Sequence, residues 1–490
     1  MPVRVLFLAT LLTAMPVAAA PPIAELPGPI VVAGGGEPAK DAREAFLNLA
    51  GKDKAKIVLL ATKHDASKSW PSATMLKLTD KKQADDPEFV KPLAGATAAW
   101  LTDDPLPALR GTLLDKELKK LQGRRGAIGG HGAGAIALGQ LGLLPGFHLA
   151  VKNDDRFQKA IDTDPARVGI ALEDGSAIAI RGRTMRVIGE RSISIRVAKG
   201  AGHPAATQRA EAGSLFDTFQ LRRAAANRAA KDPFPPAKPR DPVVEKGALV
   251  IVGGGGAGPD IWKKFIALSG GPDAIIVMIP TALGGTIPPA ARIPEVSALR
   301  RNGAKNVVVL HTYDRKEADD PKFSEVLLKA GGVWFGGGRQ WRFVDSYEGT
   351  LTEKRIREVL TRGGAIGGSS AGASIQSEFM PRGHPLGNTV MAAEGYERGF
   401  GYLPGCAVDQ HFFARKRTTD MTDLMKEYPQ FLGIGIDEGT AIVVRGSIAE
   451  VIGRTKVGFY DTHKKPVGEH DYEEVKVGEK YDLKKREKVK

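Results

Sequence analysis

The chain has 490 residues, 42% hydrophobic and 26% charged, a balance found in folded globular proteins and outside the range of disordered chains. Its 59 glycines exceed the roughly 34 that average usage gives for this length, yet they follow apolar runs without a G-X-Y period, which excludes collagen-like and low-complexity chains. The formal charge of +14 is dispersed, with no basic stripe interleaved with aromatics and no helix-turn-helix or zinc-ligand spacing, which argues against a nucleic-acid partner.

In chain order, Arg4 precedes an apolar run from Val5 to Ala18 and the small residues Ala18-Ala19-Ala20, the order of a secretory signal peptide. The run is shorter than the roughly 20 residues that cross a bilayer. Residues 1–20 are therefore expected to be a signal peptide, cleaved near residues 18–20, with an exported mature chain, periplasmic or extracellular, that does not enter the membrane.

Two related stretches follow, residues 27–230 and 243–490, separated by residues 231–242, where Pro233, Pro235, Pro236, Pro239 and Pro242 predict a stiff extended linker. Ile30-Val31-Val32-Ala33-Gly34 recurs as Val250-Ile251-Val252-Gly253-Gly254, and Ala84-Asp85-Asp86-Pro87 as Ala318-Asp319-Asp320-Pro321. Gly126-Ala127-Ile128-Gly129-Gly130 recurs as Gly364-Ala365-Ile366-Gly367-Gly368, and Leu144-Pro145-Gly146 as Leu403-Pro404-Gly405. The spacing between partners grows steadily, the pattern of a tandem duplication with insertions in the second copy.

In the second stretch, apolar runs at Leu249–Val252, Ala274–Ile279, Asn306–Leu310, Val333–Phe335, Ala365–Ile366 and Ile434–Ile436 read as buried strands. They alternate with helical patterns at Pro259–Ser269, Pro288–Arg301, Pro321–Lys329 and Thr352–Thr361. The expected fold class is α/β: two doubly wound, mostly parallel domains in tandem, flavodoxin-like or class I amidotransferase-like, with chemistry at the carboxyl ends of the strands. The lone Cys406 reads as a buried packing residue, and the basic stretch from Lys480 to Lys490 as a solvated tail.

Gly253–Gly258 satisfies G-x-G-x-x-G, but the next strand ends in Pro280-Thr281 instead of an acidic residue, and no G-K-[ST] follows. A tight strand-to-helix turn is expected there, with no dinucleotide; no cofactor or metal is expected anywhere in the chain. The stronger signal is Gly368-Ser369-Ser370-Ala371-Gly372, a G-x-S-x-G turn after an apolar strand and before a helical stretch expected over Ala373–Phe379. Small neighbours let such a turn fold tightly and project the Ser370 hydroxyl, with the Ala371 NH placed for an oxyanion. A serine nucleophile also needs a base, an acid to orient it and a second oxyanion donor. His411, after an apolar segment, and His311, at a strand end, are the candidate bases; Glu438 ends another strand, and Gly336-Gly337-Gly338 offers free amides. Taken singly, Ser370 also suits a helix N-cap and Glu438 an ordinary loop carboxylate.

Gly337–Gln340, Gly368–Ala373, Asp409–Phe412 with Arg415 and Arg417, and Gly435-Ile436-Asp437-Glu438 together resemble the cyanophycinase family of serine peptidases, whose relatives include aspartyl dipeptidase. The resemblance covers most of Gly247–Gly453. It implies Ser370 as nucleophile, His411 as base and Glu438 as its orienting acid. It also implies an oxyanion hole from Gly337 or Gly338 with Ala371, and a substrate pocket lined by Gln340, Asp409, Gln410, Arg415 and Arg417. Two positions depart from the family pattern: Arg339 stands for an acidic residue and Asp420 for a further arginine. The implied substrate is thus an acidic or β-aspartyl-type peptide, not the aspartate–arginine polymer alone.

In the first stretch Gly132 stands where Ser370 does, Lys152 at His411, Ala150-Val151 at Asp409-Gln410, and Thr102, Asp103 and Asp104 at the three glycines; only Asp174, opposite Glu438, keeps the chemistry. The first half is expected to be a degenerate, inactive copy in contact with an active second half, and a homodimer is compatible with this. The competing reading, favoured by Arg339 and Asp420, is a pseudo-peptidase that binds a peptide or small ligand without cutting it.

Overall fold

A computed structural model describes residues 25–62, 70, 72–104, 106–200, 203–232, 234–464 and 470–490. The expected signal peptide lies outside them. Among the described residues no helix is long and apolar enough to cross a membrane.

Each half is built on one large and one small sheet. The large sheet of the second half runs Asn306–Val309, Ile275–Ile279, Gly332–Phe335, Ala365–Ser369, Val244–Val252, Thr440–Gly446, Ile448–Gly453, Lys480–Asp482 and Glu487–Lys488. Its first five strands are parallel and the rest antiparallel. Alternate residues of the parallel strands enter two separate cores: Leu249, Ile251, Val277, Val333 and Phe335 on one face, Val250, Val252, Ile276, Met278 and Trp334 on the other. Because both faces are covered, these strands read as continuous apolar runs without polar alternation.

The large sheet of the first half runs Thr74–Lys77, Ile57–Ala61, Ala98–Leu101, Ala127–His131, Ile30–Ala33, Ser176–Arg181, Thr184–Gly189 and Leu215–Asp217. Taken by chain position, the order is that of the second half. The small sheets agree in the same way: Phe147–Ala150, Val168–Ala171, Ile193–Val197 and Ala206–Ala210 in one, Leu403–Gln410, Leu432–Ile436, Lys456–Tyr460 and Glu473–Lys476 in the other, with Ser377–Phe379 added at the edge of the second.

The structure departs from the sequence expectations in several places. The helix expected over Pro288–Arg301 breaks into Ala290–Arg292 and Pro294–Arg301, because Pro294 holds Ile293 extended. Pro321–Lys329 keeps only the turn Glu325–Leu328. The helix after the serine turn is Ala371–Ser374, followed by the strand Ser377–Phe379 where helix was expected; the single Ser377 hydroxyl proton lies between the Ser374 and Phe379 carbonyls, 2.7 and 2.6 Å from its oxygen, and so supports the exit from the helix. The basic C-terminal stretch forms an edge hairpin, pinned by a fully buried Tyr481 and by Arg486 on Asp461. Within the proline-rich linker, Phe234 is 6% exposed and packs into a cluster with Phe379, Phe412 and Phe431. Cys406 is buried, and burial pushes its thiol pKa up.

The halves meet through three arginines of the first. Arg183 donates to Asp345 (2.8 Å) and to the Tyr396 hydroxyl (3.0 Å), with its guanidinium 4.2 Å over the Trp341 ring. Arg223 donates to Glu348 (2.5 Å) and to the Gly395 carbonyl (2.7 Å), and Arg228 forks onto both Glu394 oxygens.

Candidate active site

The strand Ala365–Ser369 ends at Ser370, whose φ of 56° and ψ of −111° lie in a region that side chains rarely adopt. Such a residue costs about 1–3 kcal/mol and persists only where its surroundings dictate it. Here they do: the Ser370 NH donates to the Val252 carbonyl of the neighbouring strand, and Gly372 lies so close to Phe335 that a Cβ there would stand 2.1 Å from its carbonyl oxygen.

His411 and Glu438 arrive from neighbouring strands of the small sheet, Leu403–Gln410 and Leu432–Ile436. The Ser370 hydroxyl lies 2.9 Å from His411 Nε2, and His411 Nδ1 lies 2.6 Å from Glu438 Oε1. A carboxylate only accepts, so Nδ1 carries the proton and Nε2 accepts from the serine. Burial lowers the His411 pKa most; the Glu438 hydrogen bond opposes this, while the positive charges of Arg415 and Arg417 reinforce it. The imidazole is therefore neutral in neutral solution, the form a base requires. His311, the other candidate base, bonds the Thr281 hydroxyl instead.

The glycine run after Val252 forms the bed of this pair. A Cβ on Gly254 would stand 2.2 Å from the His411 ring, and one on Gly255 2.6 Å from the Glu438 Cβ. The Gly253 carbonyl accepts from His411 N (2.6 Å), and the Gly254 carbonyl from Gly439 N (2.8 Å). The run thus lets two side chains lie against bare backbone.

Gly337 faces the elbow from the next strand, where a Cβ on it would stand 3.7 Å from that of Ser370, whereas a Cβ on Gly338 would meet the Ala282 carbonyl at 2.2 Å. The loop is fixed by Gly336 N on Ile279 O (3.0 Å) and Arg339 N on Ala282 O (2.9 Å). Of the five expected pocket residues, four are tied to protein groups. Gln340 is buried and donates to the Pro381 and Arg382 carbonyls (2.8 and 2.9 Å). Asp409, 0% exposed, accepts from Arg382 Nε at 3.0 and 3.1 Å and from Arg417 at 3.2 Å. Gln410 accepts from Ser374 (2.5 Å), and Arg417 also donates to the Gln410 carbonyl (2.7 Å). Arg415 is exposed. Neither departure from the family pattern interrupts the Ser370–His411–Glu438 chain: Asp420 accepts from Arg382 (2.7 Å), and Arg339 turns to the His384 and Gly387 carbonyls. Arg382 escaped the sequence reading because it lies in a segment with no counterpart in the first half.

Residues 249–452 match the sequence model of peptidase family S51. A cyanophycinase of Geminocystis herdmanii is 32% identical over 222 residues, 44% of this chain and 81% of that protein. The chain belongs to the cyanophycinase family of serine peptidases. A second cyanophycinase, from a Nostoc species, is 29% identical over 238 residues, 45% of this chain and 76% of that protein. A solved peptidase from an acI-B1 actinobacterium is 24% identical, covers 48% of this chain and 97% of its own, and superposes with a TM-score of 0.37. The cyanophycinase-family match falls entirely within the second half, and membership makes the chain a serine-type peptidase with a peptide substrate.

Proposed function

We propose that Ser370, His411 and Glu438 are the nucleophile, base and orienting acid of this peptidase, that it cleaves acidic or β-aspartyl-type, cyanophycin-like peptides, and that the first half is a degenerate, non-catalytic copy. The observation that carries the reading is the unbroken hydrogen-bonded chain from Ser370 through His411 to Glu438, set on a strained elbow. Ser370 Oγ attacks the peptide carbonyl as His411 Nε2 takes its proton; His411 returns that proton to the leaving amine, and water then releases the acyl group by the same route. The NH groups of Ala371 and of Gly337 or Gly338 receive the developing oxyanion, where losing one donor typically costs about 2.7–4 kcal/mol of barrier. Exposed Arg415 is the cation suited to a substrate carboxylate. The names of the relatives and the basic residues around Asp409 support the substrate class.

Incubation with a serine-directed phosphonate is expected to label Ser370 in the wild type and nothing in Ser370→Ala. A folded wild type that neither labels nor hydrolyses a panel of α- and β-aspartyl peptides would sink the reading. The pseudo-peptidase alternative needs His411 out of reach of Ser370, and the 2.9 Å contact speaks against it. Export, proposed from residues 1–20, is checked by N-terminal sequencing of the secreted or periplasmic protein.

A further inference from the structure

One segment of the second half touches both the pocket and the first half. Between the strands Ser377–Phe379 and Leu403–Gln410, the strap Pro381–Tyr396 runs from the pocket to the boundary between the halves; in the first half the elbow helix Ala133–Gln140 leads almost directly into Phe147–Ala150. At the start of the strap, Arg382 is 3% exposed with φ of 60°. Its Nε donates to both Asp409 oxygens, its Nη2 to Asp420 (2.7 Å) and its Nη1 to the strap's own Asn388 carbonyl (3.0 Å). Midway, the His384 and Gly387 carbonyls accept from Arg339 of the oxyanion loop. At the far end, Glu394, Gly395 and Tyr396 are taken by Arg228, Arg223 and Arg183, one first-half arginine each.

We propose that the first half serves catalysis as a brace: its three arginines fix the far end of the strap so that Arg382, a positioning residue, holds Asp409 and with it the backbone that presents His411. The geometry gives each link. Asp409 lies two residues before His411 at the end of one strand, and its carboxylate also accepts from Gln410 N (3.0 Å), so moving Asp409 moves the backbone on which His411 sits. The strap closes on itself through Arg382 N on Met391 O (2.9 Å), and the bridge from Phe379 to Arg398 lies just outside it, so side chains of other elements hold this closed segment in place. A first half without that chemistry of its own thereby keeps a role that depends on three guanidinium groups.

The proposal rests on His411 being the base, and the test separates the two. In the full chain, Glu394→Gln removes the charge and one of the two acceptors of the Arg228 clamp at the end of the strap remote from Ser370. Amide hydrogen exchange is expected to rise at least tenfold across residues 381–396 and also at Asp409–Phe412, and phosphonate labelling of Ser370 to slow by several fold. Arg382→Ala is expected to slow labelling by tenfold or more, with Arg382→Lys recovering part of it. It also leaves the Asp409 charge less neutralised near His411, which already faces Glu438, Arg415 and Arg417, so the acid limb of the labelling rate moves to higher pH; mere loss of folded protein leaves that limb in place. Faster exchange in the strap with unchanged exchange at Asp409–Phe412 overturns the brace, whether or not the wild type is labelled. An unlabelled wild type in which Glu394→Gln does loosen Asp409–Phe412 overturns the assignment of the base and leaves the brace standing.

Discussion

The two elbows share a backbone and differ in what fills them. Gly132 has φ 53° and ψ −122°, and Ser370 has 56° and −111°. In the first half the Ala133 NH, the counterpart of the Ala371 NH, donates to Asp103 Oδ1 at 2.7 Å, and the other Asp103 oxygen accepts from Gly36 N at 3.2 Å. In the second half Gly337 stands at that position and leaves the space before the elbow open. The first elbow therefore carries no serine, and a fixed carboxylate already occupies its backbone NH. The same strained turn stands in both halves because packing demands it: a Cβ on Gly134 would stand 2.3 Å from the Leu101 carbonyl oxygen, as one on Gly372 would stand 2.1 Å from that of Phe335. In this chain the elbow is a feature of folding, and in one half it carries a serine whose hydroxyl meets His411.

The sharpest way to break that comparison is to make the second elbow like the first. Ser370→Gly is expected to lower kcat by a factor on the order of 10⁶, while the thermal midpoint holds or rises because about 1 kcal/mol or more of strain is relieved; peptide hydrolysis and calorimetry on the same preparation check both. Glu438→Gln keeps the geometry but cannot hold the Nδ1 proton in the same way, and a loss of about 10⁴ in kcat is expected in steady-state assays. In the reverse direction, Gly132→Ser would bring a Cβ to 1.7 Å from Asp103 Oδ1. The new hydroxyl is expected to take up no phosphonate, and the substitution to destabilise the chain by about 1–3 kcal/mol for the backbone strain alone; adding Asp103→Gly recovers part of the loss in denaturant melts. The smallest effect concerns pH. With His411 as the proposed base, activity needs its neutral form; its pKa lies below the ordinary imidazole value near 6.5, so the acid limb of kcat/KM is expected below that value. Arg415 disfavours the imidazolium, so Arg415→Gln moves the limb upward; a limb that stays in place would remove Arg415 from the field at His411.

The parallel core was legible because strands covered on both faces must be apolar throughout, as Ile275–Ile279 and Gly332–Phe335 are. Ser370, His411 and Glu438 were legible as residue types at the carboxyl ends of strands. The bed formed by Gly254 and Gly255 was not, since the glycines respond to His411 and Glu438, which arrive more than 150 residues later in the chain; the sequence showed a turn where the fold shows a close approach. Asp103 read as the loss of a glycine, and its bond to Ala133 emerges only when two strands are adjacent. The short helix after Ser370 depends on a hydroxyl bonding to backbone, which apolar periodicity does not register.

Phe234 gives the proline-rich stretch a further meaning. Its ring stacks on Phe379, with centroids 6.1 Å apart, in the same cluster as Phe412, the residue after His411. A second half produced alone from residue 243 would leave that place in the cluster empty, a loss comparable to truncating a buried phenylalanine, about 3–5 kcal/mol. The boundary drawn by composition and the boundary drawn by packing therefore fall at different residues: the unit able to fold around the serine begins before Phe234, inside the stretch that looks most like a tether.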